Sequence, residues 1–334
     1  MLPEVRSWLR DRTSTAQRWP ARAVLAAKGD ARISVVLPAR SEGETIGQIV
    51  ATVRSSLMRD VPLVDEIVVI DSRSTDDTAG VAAAAGARVA AQDQVLPHLP
   101  PADGKGEALW KSLAATSGDV IVFLDADVRN FSPSFVTGLL GPLLHDPSLR
   151  YVKACYDRPL HETGDAGGRV TELVARPLLN LHWPLLAGFI QPLAGEAAGR
   201  RGLLERLPFV TGYGVEFGLL VDVLADSGLD AMAQVDLGTR VHGHQSTAAL
   251  GRMAAQIWLT AWSRLERSGP AAERRGSAAE PPSGLLTQFR RAGAGHRPEV
   301  HDITVTERPP MIEIPEYRQA RLLPAGPSPG YAPR

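Results

Sequence analysis

The chain has 334 residues, with 36 Lys+Arg against 37 Asp+Glu, a formal net charge of −1 and 44 % hydrophobic residues. That is enough apolar material for one large domain or two smaller ones, and it argues against disorder over most of the length. The balanced charge gives no general attraction to nucleic acid or membrane surfaces, so an anionic substrate needs a local site.

The lone cysteine, Cys155, excludes an internal disulfide framework and a multi-cysteine zinc site, and it suits a reducing cytoplasm. No run of about 20 uninterrupted apolar residues reads as a membrane span, and no signal peptide is visible.

In chain order, residues 1–30 read as a variable, basic, poorly structured lead-in. Residues 33–37 form an apolar, β-branched run that stops at Pro38, a buried strand. Ser41-Glu-Gly-Glu44 reads as a capping box that starts a helix, carried on by Ile46, Ile49, Val50, Val53 and Leu57. A second strand at 67–70 ends at Asp71. Ser74-Thr-Asp-Asp77 is a second capping box, before an alanine-rich helix that closes at Gly86. A short strand at 88–90, a helix at 106–117 and a strand at 120–124 complete a βαβαβ pattern, which favours a parallel sheet.

The second half is less regular. Strands are expected at 151–155 and 231–235, and helices at 170–181, 214–227 and 250–265. From Ser268 the chain is rich in Pro, Gly, Ala and Arg and reads as an extended arm or flexible end, with some order near 303–314.

Ligands of open parallel sheets sit beyond the carboxyl ends of the strands. Those ends carry Pro38-Ala39-Arg-Ser-Glu42, Asp71-Ser72 and Asp125-Ala126-Asp127. Two carboxylates at i and i+2 after a buried strand can converge on Mg²⁺ or Mn²⁺, which prefer oxygen ligands shared with phosphates; the plain alternative is a turn with two solvated aspartates. Lys105, flanked by Gly104 and Gly106 before a helix, can meet a phosphate, or be an exposed turn lysine. Gly168-Arg169 with Thr171 at a helix start makes an anion site or a plain cap. His242 and His244 are metal-ligand candidates or ordinary histidines. Glu216, in an apolar Gly-rich setting, is a core carboxylate or one aimed at a ligand hydroxyl. No Walker A loop, Gly-x-Ser-x-Gly elbow or Gly-x-Gly-x-x-Gly fingerprint is present.

Together, residues 33–42, Asp71-Ser-Arg-Ser-Thr-Asp-Asp77 and Leu124-Asp-Ala-Asp127 resemble the nucleotide-sugar half of GT-A glycosyltransferases. Gly104-Lys-Gly-Glu-Ala-Leu-Trp110, residues 168–179, Gln191-Pro-Leu-Ala-Gly-Glu196 and Gly212-Tyr-Gly-Val-Glu216 resemble, more specifically, the glucosyl-3-phosphoglycerate synthases of actinobacteria.

The resemblance covers roughly residues 31–265. It implies an α/β GT-A fold with a mainly parallel, Rossmann-like sheet. After the lead-in, a nucleotide-sugar half spans 31–150 and an acceptor half of the same domain spans 151–267, with the tail at 268–334. It also implies metal-dependent, retaining transfer of glucose from UDP-glucose to 3-phosphoglycerate, in a cytoplasmic homodimer.

Carried over residue by residue, Pro38, Ala39, Glu42 and Ser72 would hold uridine, Lys105 would sit at the nucleotide, and Asp125 with Ala126 would meet the nucleoside. Asp127 and His242 would bind Mg²⁺ or Mn²⁺. Glu216 would contact the transferred sugar, with Leu193 and Tyr213 lining its pocket; Asp127, Glu216 and Lys105 would form the catalytic set. Gly168, Arg169, Thr171 and His244 would take the acceptor. Two departures stand out: His244 where the family commonly has Asn, and Arg40-Ser41 where Leu-Asn is usual. The competing readings are a mannosyl-3-phosphoglycerate synthase or dual-specificity GDP-sugar enzyme, a polyprenyl-phosphate glycosyltransferase, and a non-catalytic nucleotide-binding protein.

Overall fold

A computed structural model describes residues 1–157, 168–241, 246–268, 282–292 and 295–322. The elements are, in order, α1 (Pro3–Asp11), β1 (Thr13–Thr15), α2 (Ala21–Ala26), β2 (Ile33–Ala39), α3 (Ile46–Val53), β3 (Glu66–Asp71), α4 (Thr78–Ala85), β4 (Arg88–Ala91), α5 (Lys105–Ala115) and β5 (Val120–Phe123). Then come α6 (Ser134–His145), β6 (Tyr151–Asp157), α7 (Arg176–His182), β7 (Ala197–Arg200), α8 (Arg201–Leu204), β8 (Phe209–Val210), α9 (Val215–Ser227) and β9 (Met232–Thr239). The last are α10 (Thr247–Ser268), β10 (Leu285–Ala292), β11 (Gly295–Asp302), β12 (Glu307–Arg308) and α11 (Pro315–Leu322).

The main sheet has eight strands in the order β1-β9-β6-β7-β5-β2-β3-β4. β7 runs antiparallel to both of its neighbours, and all other pairs are parallel. Both faces of the sheet are covered, so its strands read as continuous apolar runs. Val36, Val68 and Ile121 pack into one layer with Trp110, Leu113 and Phe217. Val35, Val69 and Val122 pack into the other with Ile49, Val53 and Leu139.

This topology decides what can meet. The carboxyl ends of β2, β3, β5, β6 and β9 all point to one edge. Because β7 is reversed, the residues that enter it, Gly195 and Glu196, arrive at that same edge. Helices that return along a parallel sheet present their first turns there, which brings in Lys105 on α5 and Glu216 on α9.

Several expectations need correction. Residues 1–30 are not a loose lead-in. β1 pairs with β9, Val5 and Trp8 are buried, and Trp8 Nε1 donates to Met232 O at 2.8 Å. Neither capping box forms. Ser41 has φ +60, outside the extended region an N-cap needs, and α3 starts later, after Thr45. Asp76 Oδ2 instead accepts from Gly43 N at 3.1 Å, tying the loop after β2 to the loop after β3. Gly86 does close α4, at φ +104.

α6 and β7 were not expected. α6 contains Gly138, Gly141 and Pro142, poor helix formers, and is held by burial, with the Trp19 ring lying against Gly141. The tail is more ordered than expected: β10 and β11 form a hairpin, β12 pairs with β8, and Met311, Ile314 and Tyr317 are buried. Residues 269–281 and 323–334 lie outside the described residues. Among the described residues, no helix is long and apolar enough to cross a membrane.

Candidate active site

At the strand edge, Asp125 is held by two cations. Lys105 Nζ bonds its Oδ1, and Arg240 Nη2 bonds its Oδ2 at 2.7 Å. Lys105 also reaches Glu216 Oε1 at 2.7 Å, and the same Arg240 nitrogen reaches Asp127 Oδ1 at 2.7 Å. Arg240 Nε lies 2.9 Å from Glu196 Oε1 but is not aligned for a hydrogen bond, so charge alone holds that pair. Tyr156 OH donates to Glu196 Oε2 at 2.8 Å, while its ring lies 5.5 Å from the Arg240 guanidinium carbon. A tyrosine and a fully buried carboxylate thus fix the arginine that spans Asp125 and Asp127.

Lys105 and the nearby Glu42 are both shifted from their ordinary values. Burial opposes the charge on Lys105, but Asp125 and then Glu216 outweigh it and raise its pKa. Burial, with Asp127 and Asp125 adding to it, pushes Glu42 up to about 7. Gly195 is where it must be: a Cβ there would overlap the Asp125 carboxylate and the Lys105 ammonium.

Around this network, Ala39 ends β2 and its carbonyl accepts from Ser72 N at 2.8 Å. Pro38 precedes it, and Ser72 Oγ donates to Gln92 Oε1 at 2.9 Å. Asp71 Oδ1 is buried without a hydrogen-bond partner among the described residues. Glu42 N donates to Thr78 Oγ1 at 2.8 Å. Ala126 is buried, and its carbonyl accepts from Thr45 Oγ1 at 2.6 Å. Tyr213 is 47 % exposed at the mouth, and Leu193 is partly buried in the adjoining core.

Gly168, at φ +87, adjoins Thr171 and Gln191. Arg169 is exposed and its Nη1 donates to Thr247 Oγ1 at 3.2 Å. Thr171 is buried rather than open to the surface.

His242 and His244 lie outside the described residues, so the expected metal and acceptor contacts there have no geometry. Among the described residues, no third His, Cys, Asp or Glu completes a metal cluster. The donor set nevertheless fits a hard divalent cation. Asp127 is the open member of the pair, its side chain 36 % accessible against 17 % for Asp125, and the pair already draws a guanidinium to itself.

Sequence reasoning missed Arg240, Tyr156 and Lys153, and it noticed Glu196 only as part of a motif. Arg240 had a signal, a basic residue just past a strand and two before His242. Lys153 and Tyr156 lie inside an apolar strand run and had none.

Residues 34–180 match the family model of glycosyl transferase family 2. The chain is 46 % identical over 312 residues to glucosyl-3-phosphoglycerate synthase of Mycolicibacterium smegmatis, covering 92 % of this chain and 98 % of the relative. Mannosyl-3-phosphoglycerate synthase from Rubrobacter xylanophilus superposes with a TM-score of 0.84 at 39 % identity, covering 92 % and 97 % of the two chains. Glucosyl-3-phosphoglycerate synthase from Mycobacterium tuberculosis, solved with Mn²⁺, UDP and phosphoglyceric acid, superposes with a TM-score of 0.77 at 45 % identity, covering 88 % and 94 %.

Proposed function

The chain belongs to the glucosyl-3-phosphoglycerate synthases, and we propose that it transfers glucose from UDP-glucose to 3-phosphoglycerate with retained configuration, releasing UDP. The observation that carries the reading is the Asp125-Ala126-Asp127 turn sharing one buried ion network with Lys105 and Glu216. A nucleotide-sugar transferase needs charge compensation where a diphosphate leaves, beside a polar group for the sugar.

In this reading Pro38, Ala39, Glu42, Ser72, Asp125 and Ala126 face the nucleoside. Asp127 with His242 holds Mg²⁺ or Mn²⁺. When bound, that cation would offset negative charge on the departing diphosphate. Lys105, kept protonated by its carboxylates, adds a compact positive charge at the same place. Glu216 takes a sugar hydroxyl, between Leu193 and Tyr213. Gly168, Arg169 and Thr171, with His244, receive the acceptor, where an exposed guanidinium matches a phosphate.

The acceptor hydroxyl then attacks the anomeric carbon on the face the diphosphate leaves, and its proton goes to the departing oxygen. Cytoplasmic location and a homodimer belong to the same proposal. Leu285, Phe289 and Val300 share one exposed side of the β10–β11 hairpin, an apolar face that supports pairing. Phe289→Asp should then lower the mass measured by light scattering to that of a monomer.

The superposition on a mannosyl-3-phosphoglycerate synthase favours one second reading, a GDP-mannose donor. A donor-by-acceptor matrix separates them: UDP-glucose, GDP-glucose and GDP-mannose, each with 3-phosphoglycerate, glycerate or no acceptor, with Mg²⁺ or EDTA. Metal-dependent UDP release only from UDP-glucose with 3-phosphoglycerate supports the proposal. Turnover of GDP-mannose moves the donor assignment, and silence with every pair overturns the reading.

A further inference from the structure

Lys153 lies within β6, in register with Ala197 of β7 and Gln234 of β9, and is 1 % exposed. Val152 and Ala154 on either side of it pack into one layer and Tyr151 into the other, so Lys153 projects with Tyr151 toward the layer of α5 and α9, the helices that carry Lys105 and Glu216, and its register partner Ala197 follows Glu196 directly. Each of those charged groups has a partner: Lys105 joins Asp125 to Glu216, and Arg240 joins Asp125 to Glu196. Lys153 forms no ion pair and no hydrogen bond with any described residue.

Burying an ammonium without a partner is strongly destabilising. Burial accordingly pushes Lys153 down to about 8, although Glu216 pulls the other way. A methionine would fill the same space without that cost. A charge kept at such a position is expected to act on a ligand.

Glu216 has Oε1 engaged by Lys105 at 2.7 Å, and Lys153 lies on the same side of the sheet without pairing with it. A hydroxyl fits between an ammonium and a carboxylate, because it accepts from one and donates to the other. We propose that Lys153 and Glu216 together grip one hydroxyl of the transferred sugar, Lys153 donating from the sheet and Glu216 accepting from α9. The proposal deepens, and rests on, the reading of this site as a nucleotide-sugar transferase.

The test is Lys153→Met, measured by thermal unfolding, by calorimetric titration with UDP and with UDP-glucose in the presence of Mn²⁺, and by steady-state kinetics. A higher melting temperature is expected, with UDP affinity unchanged and UDP-glucose affinity weakened. kcat/KM for UDP-glucose should fall roughly 10- to 100-fold while KM for 3-phosphoglycerate holds. Lys153→Arg keeps the charge and should recover part of the UDP-glucose affinity.

A lower melting temperature with UDP and UDP-glucose weakened together means a structural lysine and overturns the proposal. So does Lys153→Met acting as wild type, or an arginine that recovers nothing. If wild type does not turn over UDP-glucose with 3-phosphoglycerate, the proposed function fails separately. Titrations with UDP, UDP-glucose and GDP-mannose then still decide Lys153: a loss confined to sugar-bearing nucleotides supports it, and an equal loss or none refutes it.

Discussion

Glu107 and Asp125 are both carboxylates held by cations, one at each end of the path from α5 to the strand edge. Glu107 is fully buried and takes Arg308 in a two-bond fork at 2.7 and 2.8 Å, with Lys111 at 3.5 Å. Arg308 stacks over Trp110, whose Nε1 donates to Pro309 O at 2.8 Å, and Lys111 donates to Gln92 O at 2.9 Å. Every charge there has its geometry satisfied inside the protein.

At the other end, Lys105 and Arg240 are each divided among several carboxylates. Asp127 is partly open and Lys153 has no partner among the described residues. The first network closes the tail onto α5. The second leaves bonding capacity for something not made of protein, and that difference separates an anchor from a site.

Removing the anchor should have the largest effect. Glu107→Ala leaves Arg308 and Lys111 without their carboxylate and should cost about 3–5 kcal/mol of stability, read by urea unfolding. Turnover per folded molecule should survive, and its loss in a fully folded sample would make the anchor part of the site.

Asp127→Asn should do the reverse. Turnover is expected to fall roughly 10²- to 10³-fold, while the unfolding midpoint moves little, because this aspartate is the more accessible partner of Arg240. Gly195→Ala should lie between them. The added methyl must push apart Asp125 and Lys105, at a cost of about 1–3 kcal/mol, and UDP affinity measured by calorimetry should weaken together with stability.

The last effect is in pH. Lys153 sits near 8 in the fold, among Glu216, Lys105, Glu196 and Asp125, against 10.5 for an ordinary lysine. Between those values the unfolded chain binds the proton that the fold has released, so stability rises with pH. Wild type should therefore gain on Lys153→Met between about pH 8 and 10.5 and run parallel to it below that window. A constant difference across the whole range would contradict an unpaired buried ammonium.

Much of the first half is legible in the amino-acid sequence alone. Strands ending at Ala39, Asp71 and Phe123 and helices starting near Lys105 and Val215 follow from apolar runs, glycines and helical spacing. The capping boxes at Ser41 and Ser74 mislead, because bonds between the two loops, Gly43 N to Asp76 and Ser41 N to Ser74 Oγ, win over local capping. The order of residues 1–30 is hidden for a similar reason: Trp8 and β1 gain their stability from β9, more than 200 positions away.

The parallel α/β framework, the polar strand ends and the family are written in local periodicity and short motifs, so they can be read one segment at a time. That Arg240 spans Asp125 and Asp127, that Glu196 and Tyr156 fix it, and that Lys153 lies unpartnered among the described residues on the same side of the sheet as Glu216 comes from packing over long range. Those meetings depend on the reversal of β7 and on which strands are neighbours. A contact between residues far apart along the chain leaves no periodic mark in the sequence, because it is fixed by the packing of the whole sheet rather than by any one segment.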